Sequence, residues 1–125
     1  MASFRDLKVW QEAHKLTIEL YEISKNFPPI ERYRLTEQIC RAVSSIAANI
    51  AEGTGRYSNK DFMKFLYIAR GSLEETRNFL ILALDLGYLE KQQYVILDEK
   101  CTSISKMING LIKALNKNIK SNLNQ

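Results

Sequence analysis

Apolar residues recur along this chain at alternating spacings of three and four, which is the repeat of one face of an α-helix. The pattern predicts helices over residues 7–26, 32–53, 59–86 and 90–117. The most regular repeat, in the fourth segment, consists of Tyr94, Leu97, Cys101, Ile104, Ile108, Leu111 and Leu115. No strand pattern competes with these segments. The predicted fold class is therefore all-α.

Short breaks separate the four segments. Phe27-Pro28-Pro29 ends the first, because proline restricts the residue before it and lacks the N–H that a helix interior needs. Gly53 and Gly55 are expected to end the second helix in the left-handed backbone conformation, and Gly87 is expected to cap the third. Four long amphipathic helices with short links favour an up-down-up-down antiparallel four-helix bundle.

The length of 125 residues suits a single bundle domain, which we place at 1–120. The polar stretch 118–125 is typical of a fraying helix end or a mobile tail. The chain has no run of about 18 apolar residues and no apolar segment behind its charged N-terminus, so we expect a cytoplasmic protein without membrane contact. Cys40 and Cys101 lack CxxC spacing and are predicted to be buried thiols.

Residues 41–56 combine many small side chains with two polar ones on an otherwise apolar helix face. Asn49 falls on the stripe that should face the core, and an unpartnered buried polar group costs roughly 1–3 kcal/mol. We therefore expect Asn49 and Glu52 to find partners elsewhere in the chain or in another subunit. Gly71, in the middle of the third helix, costs roughly 0.5–1 kcal/mol relative to alanine, which predicts a close crossing with the small-residue face of the second helix.

A single polar residue in an apolar contact between helices can fix register and oligomeric state. On this basis we predict a set of packing and register residues along the second and third helices. They are Asn49, Glu52, Gly53, Arg70, Gly71, Glu74 and Glu75.

Conventional catalytic and metal sites lack their parts in this sequence. The chain has one histidine, His14, and no Glu-x-x-His pair, which argues against a di-iron carboxylate bundle and against a serine or cysteine relay. Gly53-Thr54-Gly55-Arg56 lacks the Gly-Lys-Ser/Thr ending of a phosphate-binding loop and is better explained as a helix cap and turn. Glu74 can pair with Arg70 and Arg77 at helical spacing, which is simpler than an acid–base pair with Glu75. We predict no catalytic residue, no metal ligand and no cofactor, and hence no enzyme.

The formal net charge of +4 favours polyanions such as RNA, acidic protein faces or anionic lipid, without selecting among them. The candidate nucleic-acid-binding residues are Lys60, Lys64, Lys106, Lys113, Lys117 and Lys120. The four on the fourth helix share one face, which suits a solvated helix surface and a polyanion-binding surface equally well. Since no base-reading motif accompanies them, any nucleic-acid contact would be to backbone and shape.

Several blocks in order give the chain a recognisable signature. They include Phe4-Arg-Asp-Leu7, Ser45-Ile-Ala-Ala-Asn49-Ile-Ala-Glu-Gly53 and Ile68-Ala-Arg-Gly-Ser-Leu-Glu-Glu-Thr76. The chain resembles, nearly end to end, the bacterial four-helix-bundle family typified by the protein encoded in intervening sequences of 23S ribosomal RNA genes. One departure is Ala47 or Ala48, where many relatives place a proline that kinks the helix.

The resemblance implies a non-enzymatic homo-oligomer, expected to be a pentameric ring, with a proposed role in binding RNA or another nucleic acid. Related accessory proteins of diversity-generating retroelements look like basic scaffolds for RNA and a reverse transcriptase. Two hypotheses therefore stand beside each other: an oligomeric RNA-binding protein, and a protein-interaction scaffold whose positive face docks an acidic partner. An enzyme is a third, which would require a bound metal or cofactor.

Overall fold

The structure, a computed structural model, describes residues 3–123, and within that range it contains four α-helices and no strand. The helices are α1 (Lys8–Ser24), α2 (Leu35–Thr54), α3 (Asn59–Asp85) and α4 (Lys91–Leu123). Short 3-10 turns at Phe4–Asp6 and Pro29–Glu31 precede α1 and α2. The prediction of an all-α fold is confirmed.

The helices form a bundle in which each contacts its neighbours in sequence and α4 closes the ring against α1. Neighbouring helices run antiparallel, as the contacts between α3 and α4 illustrate. Arg70 contacts Asn109, and Arg77, farther along α3, contacts Asp98, which lies earlier on α4. The up-down-up-down antiparallel four-helix bundle predicted from the sequence is therefore the observed architecture.

The core is one continuous apolar cluster to which all four helices contribute. Its largest fully buried side chains are Leu16, Leu20, Ile39, Val43, Ile46, Ile50, Leu66, Leu73, Leu80, Leu97, Ile104 and Ile108. These residues occupy the three-four positions of each helix, so the sequence repeat and the buried face coincide.

The predicted helix ends need correction at two places. Gly53 does not end α2, which continues to Thr54, and Gly55 has φ −84° instead of the expected left-handed conformation. The predicted polar end at 118–125 is helical over 118–123, because α4 continues to Leu123; residues 124 and 125 lie outside the described range. Gly87 fits the prediction: its φ is +82°, and it caps α3 while the N–H of Tyr88 returns to the carbonyl of Ala83.

At the end of the bundle where α2 begins and α3 ends, the carboxylate of Glu31 links the α1–α2 connection to the α3–α4 connection. Glu31 accepts a hydrogen bond from the N–H of Leu35 at 3.3 Å and another from the hydroxyl of Tyr88 at 2.8 Å. The first bond satisfies an N–H at the start of α2 that has no helical partner. The second raises the pKa of Tyr88 above its ordinary value of 10.0, with desolvation adding to the effect.

The two cysteines differ in their surroundings. Cys101 is a buried free thiol on α4, and burial raises its pKa to about 12, as the prediction of a core thiol implies. Cys40 is only half-buried, with its sulfur 3.4 Å from the hydroxyl of Ser24. No helix within residues 3–123 has the length and apolar character that a membrane span requires.

Candidate functional site

α2 and α3 pack closely against each other at Gly53. This glycine is buried, and a Cβ added to it would lie 2.7 Å from Cδ1 of Phe62 and 3.0 Å from Cβ of Phe65. Both distances are shorter than ordinary carbon–carbon contacts, so a larger residue fits only if the Phe62 ring moves and Phe65 gives way. Gly53 therefore faces α3 from the last turn of α2, one residue before the helix ends at Thr54.

Asn49 lies half-buried at the boundary between α2 and α3. Its amide donates hydrogen bonds to the carbonyl of Ser45 at 2.8 Å and to the Ser45 hydroxyl at 2.9 Å, one turn earlier in the same helix. The Ser45 hydroxyl in turn accepts a bond of 2.9 Å from Ser72 on α3. The partner expected elsewhere in the chain or in another subunit is thus a neighbour in the same helix, and the hydrogen bond between the two serines extends the polar contact to α3.

Glu52 does not interrupt a buried face, because its side chain is exposed. It pairs with Arg56, one turn later, at 2.6 Å. The guanidinium carbon of Arg56 also lies 4.7 Å from the ring centroid of Phe65. Glu52 therefore belongs to a surface ion pair at the end of α2.

Gly71 is not at the crossing of α2 and α3. It is exposed, and a Cβ added there would meet nothing within 4 Å. The prediction of a close approach at Gly71 is wrong, because Gly71 lies on the outer face of α3. The close contact is at Gly53 on α2, which faces Phe62 and Phe65.

The ion pairs expected around Glu74 form only in part. Glu74 contacts Arg77 at 3.6 Å, as predicted, whereas Arg70 donates instead to the side-chain carbonyl of Asn109 on α4 at 3.0 Å. Glu75 is exposed on the outer face of α3. Because Asn109 is neutral, the contact orients Arg70 without neutralising its charge.

The six candidate lysines are all exposed, and none of them belongs to an ion pair between residues that the structure describes. Lys60 and Lys64 lie on the first turns of α3, and Lys113, Lys117 and Lys120 lie on the last turns of α4. Since α3 and α4 run antiparallel, the two groups are at the same end of the bundle. We call these five lysines, together with Lys106, the basic face.

Tyr67 lies within this surface and was not among the predicted residues. Its side chain is 46% exposed, and the guanidinium carbon of Arg70 lies 4.8 Å from its ring centroid. A spacing of three residues after Lys64 places it on the same face of α3. That spacing is visible in the sequence. What distinguishes Tyr67 from other exposed tyrosines is that the guanidinium beside its ring, that of Arg70, is held in place by Asn109.

Other polar groups lie away from the basic face. A cavity of about 140 Å³ between α1 and α4 is lined by Glu12, Lys15, Leu16, Glu19, Lys100, Ser103 and Ile104. The exposed His14 stacks on Trp10, with ring centroids 4.8 Å apart. Among the residues described, no three His, Cys, Asp or Glu side chains are grouped as metal ligands would be.

Comparisons with known proteins agree with the fold and with the sequence blocks. A crystal structure of a protein with unknown function from the S23 ribosomal protein family, from Bacteroides thetaiotaomicron, is similar, with a TM-score of 0.78 and 27% sequence identity. The similarity covers 84% of this chain and 95% of that one. A comparison with curated proteins gives no match. The family model described as 23S rRNA-intervening sequence protein matches residues 5–110, which confirms the resemblance: the chain belongs to this family.

Proposed function

We propose that this protein is a non-enzymatic, cytoplasmic homo-oligomer that binds RNA or another nucleic acid through its basic face. The observation that carries the proposal is the separation of charge on α4. Residues 101–125 contain four lysines, all members of the basic face, and no Asp or Glu. On α1 and at its C-cap, by contrast, Lys15 and Lys25 are paired with Glu12 and Glu22 at 3.1 Å and 3.0 Å.

Lysines without nearby carboxylates suit phosphate groups, because each contact releases a counterion from the nucleic acid. Such contacts position a protein on the nucleic-acid backbone but carry no sequence information directly. The basic face therefore favours recognition of charge and shape.

Assembly is supported by large apolar side chains that stay exposed at the opposite end of α3 and α4. They are Ile81, Leu82, Leu86, Val95 and Ile96, each between 41% and 48% exposed. Clustered exposed apolar residues often mark protein–protein contacts. A ring of copies joined near this end would repeat the basic face, and several weak phosphate contacts then add to a higher overall affinity. The family resemblance makes five the subunit number to test.

Light scattering tests the assembly. Leu82→Lys should lower the molar mass of the particle, while Ile18→Lys, at a 54% exposed position on α1, should leave it unchanged. A monomeric wild-type protein would contradict the assembly. We also propose that Asn49 fixes the register of the helices in this assembly. Asn49→Leu should therefore keep the helical content of the protein and change the molar mass of the particle.

Salt dependence of binding tests the basic face. Removing two charges with Lys113→Gln and Lys117→Gln should weaken binding of a labelled RNA. It should also reduce the magnitude of the slope of log affinity against log salt by about 1.4, at about 0.7 per phosphate contact of a single strand. The matched control is Lys15→Gln with Lys25→Gln, which removes the same charge from α1 and its C-cap and should change neither quantity.

If the two double variants weaken RNA binding equally, the lysines of the basic face act only through the net charge of the protein, and the basic face is not a binding site. Wild-type protein that binds structured RNA no better than heparin, and that recovers one acidic protein in a pull-down, would favour the scaffold function instead.

A further inference from the structure

One stripe on the outer face of α3 combines positive charge, an aromatic ring and an open backbone. Lys60, Lys64, Tyr67 and Gly71 follow one another at spacings of four, three and four, and all four are exposed. Residues at these spacings lie above one another on a helix surface. The stripe therefore forms a continuous track along the bundle.

Arg70 lies beside this stripe with its guanidinium held in place. Its Nη1 donates to the side-chain oxygen of Asn109 at 3.0 Å, while the guanidinium carbon lies 4.8 Å from the centre of the Tyr67 ring. Lys106 and Lys113 lie one turn on either side of Asn109 on α4. A fixed planar cation and a half-exposed aromatic ring thus lie between lysines from two helices.

Gly71 follows Arg70 in the chain, and packing within the bundle does not explain why this position is a glycine. A Cβ there would meet nothing within 4 Å, although glycine in a helix interior is unfavourable relative to alanine. A glycine in such a position is explained by a close approach from outside the chain, since glycine lets a ligand reach the backbone.

We propose that Tyr67, Arg70 and Gly71 form a subsite for an unpaired base of a single-stranded nucleic acid. The base stacks on the exposed part of the Tyr67 ring and on the Arg70 guanidinium. The flanking phosphates then lie against Lys64 and Lys113. This inference rests on the proposed nucleic-acid binding and narrows it to a substrate class, because a duplex keeps its base faces stacked inside and cannot offer one to a side chain.

The experiment compares a single-stranded oligouridylate with an RNA duplex carrying the same number of phosphates, each with a fluorescent label. Tyr67→Leu should weaken binding of the single strand roughly 5- to 150-fold, the range that loss of one aromatic–base stack gives, and leave duplex binding unchanged. Tyr67→Phe keeps the ring and should retain the affinity. The matched control is Tyr21→Leu on α1, since Tyr21 is 45% exposed and lies on another face.

Gly71→Ala provides a second test, in which stability and binding should change in opposite directions. The added methyl group enters open space, so thermal unfolding should occur at the same or a higher temperature, while single-strand affinity falls. If Gly71→Ala lowers the molar mass of the assembly and leaves RNA affinity unchanged, the surface at Gly71 contacts another copy of the chain, and the subsite is wrong.

The results separate this inference from the function on which it rests. If Tyr67→Leu binds the single strand as tightly as wild type while the Lys113/Lys117 double variant loses affinity, the base subsite is wrong and the basic face stands. If neither RNA binds the wild-type protein, the proposed function fails and the subsite fails with it.

Discussion

The α2–α3 contact and the α1–α4 contact are built from opposite kinds of residue. Across the first, Gly53 lets the helix backbone approach Phe62 and Phe65, and the hydroxyls of Ser45 and Ser72 bond directly. Across the second, long charged side chains meet: Lys100 contacts both carboxylate oxygens of Glu19, at 2.7 Å and 3.0 Å, beside a cavity of about 140 Å³.

The difference shows how side-chain size sets helix separation in one bundle. Small residues bring two helices together and exclude water, so each atom of that contact is sensitive to volume. Lysine and glutamate need water at their charged ends and hold the helices farther apart. We therefore expect changes of volume to matter at α2–α3 and changes of charge to matter little at α1–α4.

The largest effect is expected from Gly53→Ala. The new methyl group would overlap Phe62 and Phe65, and this overpacking exceeds the helix-propensity gain, for a net loss of about 1–2 kcal/mol in the free energy of unfolding. Urea denaturation measures it. Gly71→Ala, in open space on α3, is the control and should raise stability by about 0.5–1 kcal/mol. If the two substitutions change the free energy of unfolding equally, tight packing between α2 and α3 at Gly53 does not limit the size of this residue.

A smaller loss is expected from Ser72→Ala. It removes the hydrogen bond to Ser45, whose hydroxyl keeps its bond from Asn49, so the free energy of unfolding should fall by about 0.5–1.5 kcal/mol. Ser103→Ala, at an exposed position beside the α1–α4 cavity, is the matched control and should not destabilise the protein. A neutral Ser72→Ala variant would show that the serine pair is incidental to the contact.

Glu19→Gln tests the opposite contact. The Glu19 and Lys100 side chains are 36% and 48% exposed, so solvent screens the pair and the loss should be about 0.2–1 kcal/mol. The difference from wild type should shrink as salt is added. A salt-independent loss larger than that of Gly53→Ala would reverse the comparison between the two contacts.

The Glu31–Tyr88 hydrogen bond, at the end of the bundle where α2 begins, gives a pH-dependent and still smaller effect. The pKa of Tyr88 is raised in the folded state, so its contribution to stability is present below about pH 10, the ordinary pKa, and is lost as pH rises through the folded value. Tyr88→Phe should therefore lose less stability than wild type between neutral and strongly alkaline pH. Thermal unfolding measures the stability of both proteins as a function of pH. If stability falls equally in wild type and Tyr88→Phe, the Glu31–Tyr88 bond does not cause the alkaline loss.

The sequence identified the parts of the candidate site unevenly. Lys60, Lys64 and the lysines of α4 were predicted from spacing alone, because a helix places residues at three and four on one face. Tyr67 and Asn109 were missed, since their importance depends on Arg70 turning toward α4 and away from Glu74. Helical spacing allows Arg70 to contact either, and only the position of the neighbouring helix decides between them.

By itself, the sequence determined that the chain forms four amphipathic helices in an antiparallel bundle and belongs to a known family, because the apolar repeat and the sequence blocks are local along the chain. Tertiary structure decided which glycine lies at a helix crossing. Gly53 and Gly71 were both predicted as packing and register residues, and the close crossing was expected at Gly71. The rotation of each helix about its axis instead directs Gly53 toward Phe62 and leaves Gly71 facing outward. That rotation is fixed by packing against neighbouring helices, which the residues on one helix do not specify.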